Sequence, residues 1–148
     1  MIPNGIPQDV ISAAQEAMKK WHVPASVTIA QWALESAYGR MVPYKSNNPF
    51  GIKAGPHDNK VLERTHEFYH GRYVVIDAWF RKFATLADAF DKHGELIATG
   101  PAYRRVMEYK DNAWVFAEKL TGVYATDPHY GVKLHAIMTA HKLEDYDK

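Results

Sequence analysis

A chain of 148 residues can close one hydrophobic core but is short for two, so a single domain spanning residues 1–148 is expected. Its 18 Lys and Arg nearly balance 17 Asp and Glu with no basic arm or stripe, which argues against nucleic acid as a partner. The absence of Cys excludes disulfides and thiolate metal sites. No leader-like start and no apolar run of about 18 residues are present, so the expectation is a chain made soluble in the cytoplasm, with no signal peptide and no membrane span.

Pro7 opens a first helix, with Val10, Ile11, Ala14, Ala17, Met18 and Trp21 at helical spacing. Pro24 breaks it, because the residue before a proline is pushed out of the helical region. A second helix is predicted from about Ala25 to Tyr38, with Gly39 as its stop. Val27, Ala30, Ala33, Leu34 and Ala37 give it a broad apolar surface, so it should be central and largely buried.

Residues 40–60 are rich in Pro, Asn and Gly and predict a long ordered loop. From Val61 to Phe83 the text turns β-like, and His70-Gly71 between two such runs predicts a hairpin with Gly71 at positive φ. Thr85, with Asp88 three residues on, should cap a helix through Ala89, Phe90, His93, Leu96 and Ile97, ended by Gly100-Pro101. Short helices follow near 102–108 and 112–121, the second capped by Asp111 and stopped by Gly122. Asp127 as N-cap with Pro128 behind it opens a last helix through about Lys142. The sum is an α+β fold, mostly helical, whose small β-hairpin lobe (about 58–84) forms one wall of a cleft.

Within this frame Glu35 is out of place. It sits in the last turn of a helix among Trp32, Ala33, Leu34, Ala37 and Tyr38. The negative end of the helix dipole and the apolar surroundings both disfavour its charge and raise its pKa, as a general acid at neutral pH requires. The plain alternative is a solvated surface glutamate. Glycosidic bond cleavage pairs such an acid with a second group, and Glu67 on the first hairpin strand is the best second carboxylate. Its plain alternative is a strand charge kept in water. Eight His are present, and His66 and His70 flank Glu67, but no His-Glu-x-x-His pattern occurs and no metal or other cofactor is expected. Four Trp, nine Tyr and six Phe mostly suit a core, with some free to lie on sugar faces. Trp79 could line the cleft but better suits the core.

The stretch from Ala30 to Gly39, AQWALESAYG, resembles the acid-bearing helix of bacterial N-acetylglucosaminidases of glycoside hydrolase family 73, which includes flagellar and autolysin-type peptidoglycan hydrolases. The resemblance continues in order. Asn48-Pro49-Phe50-Gly51-Ile52-Lys53 is similar to the family's Asn-Leu-Phe-Gly-Ile-Lys loop, with Pro49 in place of the apolar residue. Thr65-His66-Glu67-Phe68 resembles its Thr-x-Glu-Tyr hairpin, and Phe80–Phe83 with Ala89-Phe90 its return strand and next helix. Tyr124-Ala125-Thr126-Asp127-Pro128-His129-Tyr130 resembles its Tyr-Ala-Thr-Asp-Pro-x-Tyr signature. These motifs span about residues 25–135.

The resemblance implies a lysozyme-like endo-β-N-acetylglucosaminidase that cuts the β-1,4 bond between N-acetylglucosamine and N-acetylmuramic acid in peptidoglycan strands. It implies Glu35 as acid, Glu67 as the hairpin carboxylate and Tyr124 as a tyrosine lining the site, with Asn48, Phe50 and Tyr130 as substrate contacts. Asp127 reads as the structural cap of the last helix. A muramidase or lytic transglycosylase on the same fold is the nearest rival, and a wall-binding module without catalysis is a more distant one. A monomer is expected, reaching the wall after release, as a phage endolysin does, or by another export route.

Overall fold

The computed structural model describes residues 5–148. Helix α1 (Gln8–Trp21) buries Val10, Ile11, Ala13, Ala14 and Ala17 along one stripe, as its spacing requires. Helix α2 (Ala25–Ser36) has ten of its twelve residues buried, and only Leu34 and Glu35 escape. It is therefore the axis of the molecule, surrounded by α1, two later helices and the C-terminal turn.

Helix α2 stops at Ser36, two residues short of the expected end. Ala37, Tyr38 and Gly39 all take left-handed φ, at 50°, 60° and 85°. The Tyr38 N–H reaches back to the Ala33 carbonyl at 3.0 Å, the longer bond of a Schellman ending. The Ser36 hydroxyl secures this turn, donating to the Trp32 carbonyl at 2.6 Å and accepting the Gly39 N–H at 2.8 Å. At its other end α2 starts behind Pro24, which has no side chain to cap it. Asp147, from a 3-10 turn at Leu143–Asp147, takes that place by accepting the Ser26 N–H at 2.7 Å and the Ser26 hydroxyl at 2.6 Å.

The hairpin pairs β1 (Lys60–Tyr69) with β2 (Arg72–Arg81), with Tyr69 opposite Arg72. The two loop residues, His70 and Gly71, have φ of 49° and 80°, the type I′ turn whose twist suits a hairpin. Val61, Glu63, Thr65 and Glu67 share one face of the sheet with Val74, Ile76, Ala78 and Phe80, the last two buried. Trp79 falls on the other face, opposite Leu62, and is half exposed with Lys60 over its ring. It neither lines the cleft nor joins the core, because the pleat that buries Phe80 turns its neighbour outward.

The loop of residues 40–60 is bound to the root of this hairpin. The Arg81 N–H donates to the Ile52 carbonyl at 2.9 Å and the Ala54 N–H to the Trp79 carbonyl at 3.0 Å, an isolated antiparallel bridge centred on Lys53 and Phe80. Farther back the Phe83 N–H donates to the Ser46 carbonyl at 2.7 Å.

Helix α3 (Leu86–Thr99) is capped by Thr85, which accepts the Asp88 N–H at 3.1 Å. A 3-10 turn at Pro101–Tyr103, helix α4 (Arg104–Met107) and helix α5 (Ala113–Lys119) follow. The cap of α5 is Asn112, not Asp111, because the extended residue whose side chain reaches the Val115 N–H is one step later. Helix α6 (Tyr130–Ala140) also starts later than Asp127-Pro128 suggested. Asp127 instead forms the turn before it, taking the His129 N–H on its carboxylate at 2.8 Å and the Tyr130 N–H on its carbonyl at 3.1 Å. The Gly131 N–H is satisfied from outside the helix by the Thr121 hydroxyl at 3.0 Å. Among the described residues, no helix is long and apolar enough to cross a membrane.

Candidate active site

A cleft of about 1110 Å³ runs between the hairpin with its bound loop and the helical body. That exceeds the usual range for a small-molecule pocket and suits part of a polymer. Glu35 and Tyr124 stand on the helical side, and Lys53, Thr65 and Glu67 on the hairpin side.

Glu35 reaches the cleft because α2 ends one residue after it. The residue keeps a face open to the cleft, while its Oε1 accepts the Tyr130 hydroxyl at 3.1 Å. Burial on the protein side pushes its pKa above the usual 4.5, and the Tyr130 hydrogen bond takes back part of that rise. A carboxyl so held keeps its proton closer to neutral pH than a solvated one.

Tyr124 is half-buried at the cleft margin, its ring stacked on Tyr130 with centroids 5.7 Å apart and planes 16° from parallel. Burial, then the nearby Glu35 charge, raises its hydroxyl well above the ordinary tyrosine value. Tyr130 is raised for the same reasons. Both hydroxyls therefore stay protonated and can donate.

Glu67 lies across the cleft, paired with the Lys53 ammonium at 3.1 Å. Lys53 also lies over the Phe80 ring at 4.4 Å. The bridge that docks residues 52–54 on β2 is what brings this lysine to Glu67.

The expected substrate contacts lie deeper than the sequence suggested. Asn48 is fully buried. Its amide donates to the carbonyls of Ile52 at 2.8 Å and Arg81 at 2.9 Å, and its oxygen accepts the Ile52 N–H at 3.1 Å. It ties the loop to the hairpin instead of offering its amide to a ligand. Phe50 is 4% exposed, stacked on His93 at 4.2 Å and edge-on to Phe90 at 4.8 Å, so its ring is part of the core beneath the cleft. Tyr130, 2% exposed, backs Glu35 from below. The chain's turn-forming Asn and apolar Phe were ambiguous between these placements, since both residue types serve either purpose.

Two residues escaped the sequence reading. Gln31 is wholly buried on α2, its Nε2 donating to the Tyr130 hydroxyl at 3.0 Å. His93 is buried on α3 with its Nε2 2.8 Å from the Gln31 Oε1. Burial lowers the His93 pKa to about 3, so the ring is neutral. The signal that could have found them is a lone polar residue on an otherwise apolar helix face, since a buried polar group needs a partner. Among the described residues there is no group of three or more His, Asp or Glu able to hold a metal ion.

The family model described as mannosyl-glycoprotein endo-beta-N-acetylglucosaminidase matches residues 11–143. The chain belongs to this glucosaminidase family. Exo-glucosaminidase LytG of Bacillus subtilis is 37% identical to it over 144 residues, covering 91% of the chain and 50% of LytG. A probable N-acetylmuramidase of Lactococcus lactis is 33% identical over 134 residues, covering 82% of the chain and 30% of that protein. The glucosaminidase-family chain thus spans half or less of these relatives' length. The catalytic domain of the autolysin Auto of Listeria monocytogenes superposes with a TM-score of 0.83 at 28% identity, over 94% of the chain and 84% of the domain. The glucosaminidase fold seen here, six helices with one antiparallel hairpin among the described residues, is the α+β lysozyme-like arrangement of such domains.

Proposed function

We propose that this glucosaminidase-family chain hydrolyses the β-1,4 bond between N-acetylglucosamine and N-acetylmuramic acid in peptidoglycan strands, with Glu35 as proton donor. The observation that carries this reading is a carboxyl whose pKa is raised by burial, backed by Tyr130, yet open to a polymer-sized cleft. Glu35 protonates the departing glycosidic oxygen while positive charge develops on the neighbouring sugar ring. Tyr124, the hydroxyl beside it at the cleft margin, steadies the acetamido group or that charge.

Water then completes the reaction. In a direct route Glu67 is the base that takes its proton, and the Lys53 ion pair holds that carboxylate toward the cleft. In a substrate-assisted route the acetamido oxygen attacks first and Glu67 supports the second step. All of these groups come from one chain, which supports action as a monomer, and the chemistry calls for no cofactor.

A second reading, cleavage after N-acetylmuramic acid, is favoured by the likeness to the probable N-acetylmuramidase of Lactococcus lactis. Mass spectrometry of borohydride-reduced fragments from purified peptidoglycan separates the two. Chains ending in reduced N-acetylglucosamine, absent when Glu35→Gln is used, are the expected result. Ends of reduced N-acetylmuramic acid would move the cut to the other linkage, and 1,6-anhydro ends would replace hydrolysis with transglycosylation. An unchanged digest by Glu35→Gln would remove Glu35 from the chemistry altogether.

A further inference from the structure

Behind Glu35 a line of hydrogen bonds runs through the core, from His93 on α3 to Gln31 on α2, then to Tyr130 on α6 and so to the Glu35 Oε1. Three of these four side chains are buried, and each of the three helices contributes one. Such a line has a direction, because an amide has one donor end and one acceptor end, and a hydroxyl has a single hydrogen.

Two directions are chemically allowed. In one, His93 carries its proton on Nε2 and donates to the Gln31 oxygen. The Gln31 NH2 group then faces Tyr130, and the one Tyr130 hydrogen is left for Glu35. In the other, Gln31 is turned over, its NH2 donates to a bare His93 Nε2, and Tyr130 gives its hydrogen to the Gln31 oxygen. Tyr130 then offers Glu35 only a lone pair.

The other ring nitrogen decides between them. Among the described residues, His93 Nδ1 is buried with no hydrogen-bond partner. A neutral imidazole carries one hydrogen, so the first direction leaves a bare lone pair there and the second leaves a buried N–H. Unpaired buried donors are rarer in folded proteins than under-used acceptors, and the first direction wins. The Phe50 ring stacked on His93 keeps the imidazole in that plane.

We infer that Gln31 and His93 are positioning residues that force Tyr130 to donate to the Glu35 Oε1, so that the acidic proton of Glu35 is carried on Oε2, the oxygen left free for the substrate. The inference rests on Glu35 being the general acid. It assigns the buried line the task of keeping that proton from being turned inward. If the line is released, protonated Glu35 gains a second arrangement in which its own hydrogen goes to Tyr130. That arrangement stabilises the protonated acid and withholds its proton from the glycosidic oxygen.

The consequence is read in kinetics. The variants are His93→Phe, which keeps a ring against Phe50, and Gln31→Met, which keeps the length of the side chain. Each should lower kcat by about tenfold, a part of the roughly 10²–10⁴-fold that general acid catalysis contributes, with KM little changed. Each should also move the alkaline limb of the kcat/KM profile to higher pH. The charged and titratable groups around the cleft are Tyr124, Lys53, Asp58, Glu63, Arg64, His66, Glu67, Arg81 and Lys92, and all are retained in these variants, so the displaced limb reports on Glu35. Combining Gln31→Met with His93→Phe should add little to either single change, because both release the same line.

A merely structural role would lower the thermal midpoint and leave the limb where it is. An unmoved limb in both folded variants, or losses that multiply in the double variant, would overturn the inference. If His93→Phe fails to fold, Gln31→Met decides by the same limb. Glu35→Gln, run alongside, separates the two levels: activity retained there sinks the acid assignment, whereas an inactive Glu35→Gln with unmoved limbs sinks the positioning role alone.

Discussion

Glu35 holds a position that folding by itself would not choose. A carboxyl whose folded pKa lies above its unfolded value of 4.5 binds its proton more tightly in the folded state. Its contribution to stability is complete below that unfolded value, and is lost as pH rises through the raised folded one. Glu35→Gln removes this dependence and keeps an oxygen for Tyr130. The variant should match the wild type in thermal midpoint at about pH 4 and equal or exceed it at neutrality, with the gap opening between. A midpoint many degrees below the wild type at neutral pH would show that the carboxylate stabilises the fold. At this scale the sequence was legible where chemistry was local: a charged residue amid Trp32, Ala33 and Leu34 is odd in any fold. It was illegible where partners are distant. Gln31 meets Tyr130 across 99 positions and His93 across 62, and no window on the chain contains those pairs.

The elements meet at a few close approaches that admit no larger side chain. A Cβ on Gly131 would lie 2.9 Å from the Glu118 Cα and 3.2 Å from the Ala117 carbonyl, both backbone atoms of α5. Gly131→Ala should therefore destabilise the protein by about 1–3 kcal/mol in urea titration, although alanine is the better helix former. Because Tyr130 precedes it, kcat should fall as well; an unchanged midpoint would mean that α5 and α6 can part at no cost. At the start of α2, Asp147→Ala should cost about 1–2 kcal/mol, the value of a lost helix cap. Asp147→Asn should retain most of that stability, since asparagine caps as well and escapes the burial that raises the Asp147 pKa. Equal losses in the two variants would contradict the capping role. Helix positions were legible from apolar spacing, as were the Thr85 and Gly100 bounds of α3, but other ends were not. The stop of α2 depends on the Ser36 hydroxyl and on left-handed Ala37 and Tyr38, residue types that do not announce a turn. The start of α6 depends on Thr121, which lies outside the helix.

At the scale of the whole molecule, the cleft exists because the hairpin stands on the loop of residues 40–60. Asn48 is the joint, holding both the loop and the end of β2 through one amide. Asn48→Ala should cost about 2–3 kcal/mol, because the Arg81 carbonyl and the Ile52 N–H lose the Asn48 amide in a part-buried place, while the Ile52 carbonyl keeps only the Arg81 N–H. It should also slow turnover by loosening Lys53 and Glu67. A stable but slow variant would confine the effect to the site, and a stable, fully active one would show that the joint is dispensable. The two-part plan was legible from the switch between helical and β-like spacing and from His70-Gly71. The lacing of loop to hairpin was not, because backbone-to-backbone bonds such as Arg81 to Ile52 leave no mark in side-chain type. The Asp147 cap carries one more consequence, and it concerns time. The helix bearing Glu35 is clamped at its start by a residue 121 positions later, and closing so long a loop carries an entropic cost that later contacts must offset. While the ribosome is still adding residues 143–147, α2 lacks this clamp and the core contact of Leu143. Completion of α2 therefore waits for synthesis of residues 143–147, and the cell that makes the protein meets this helix fully assembled only after translation has passed that point.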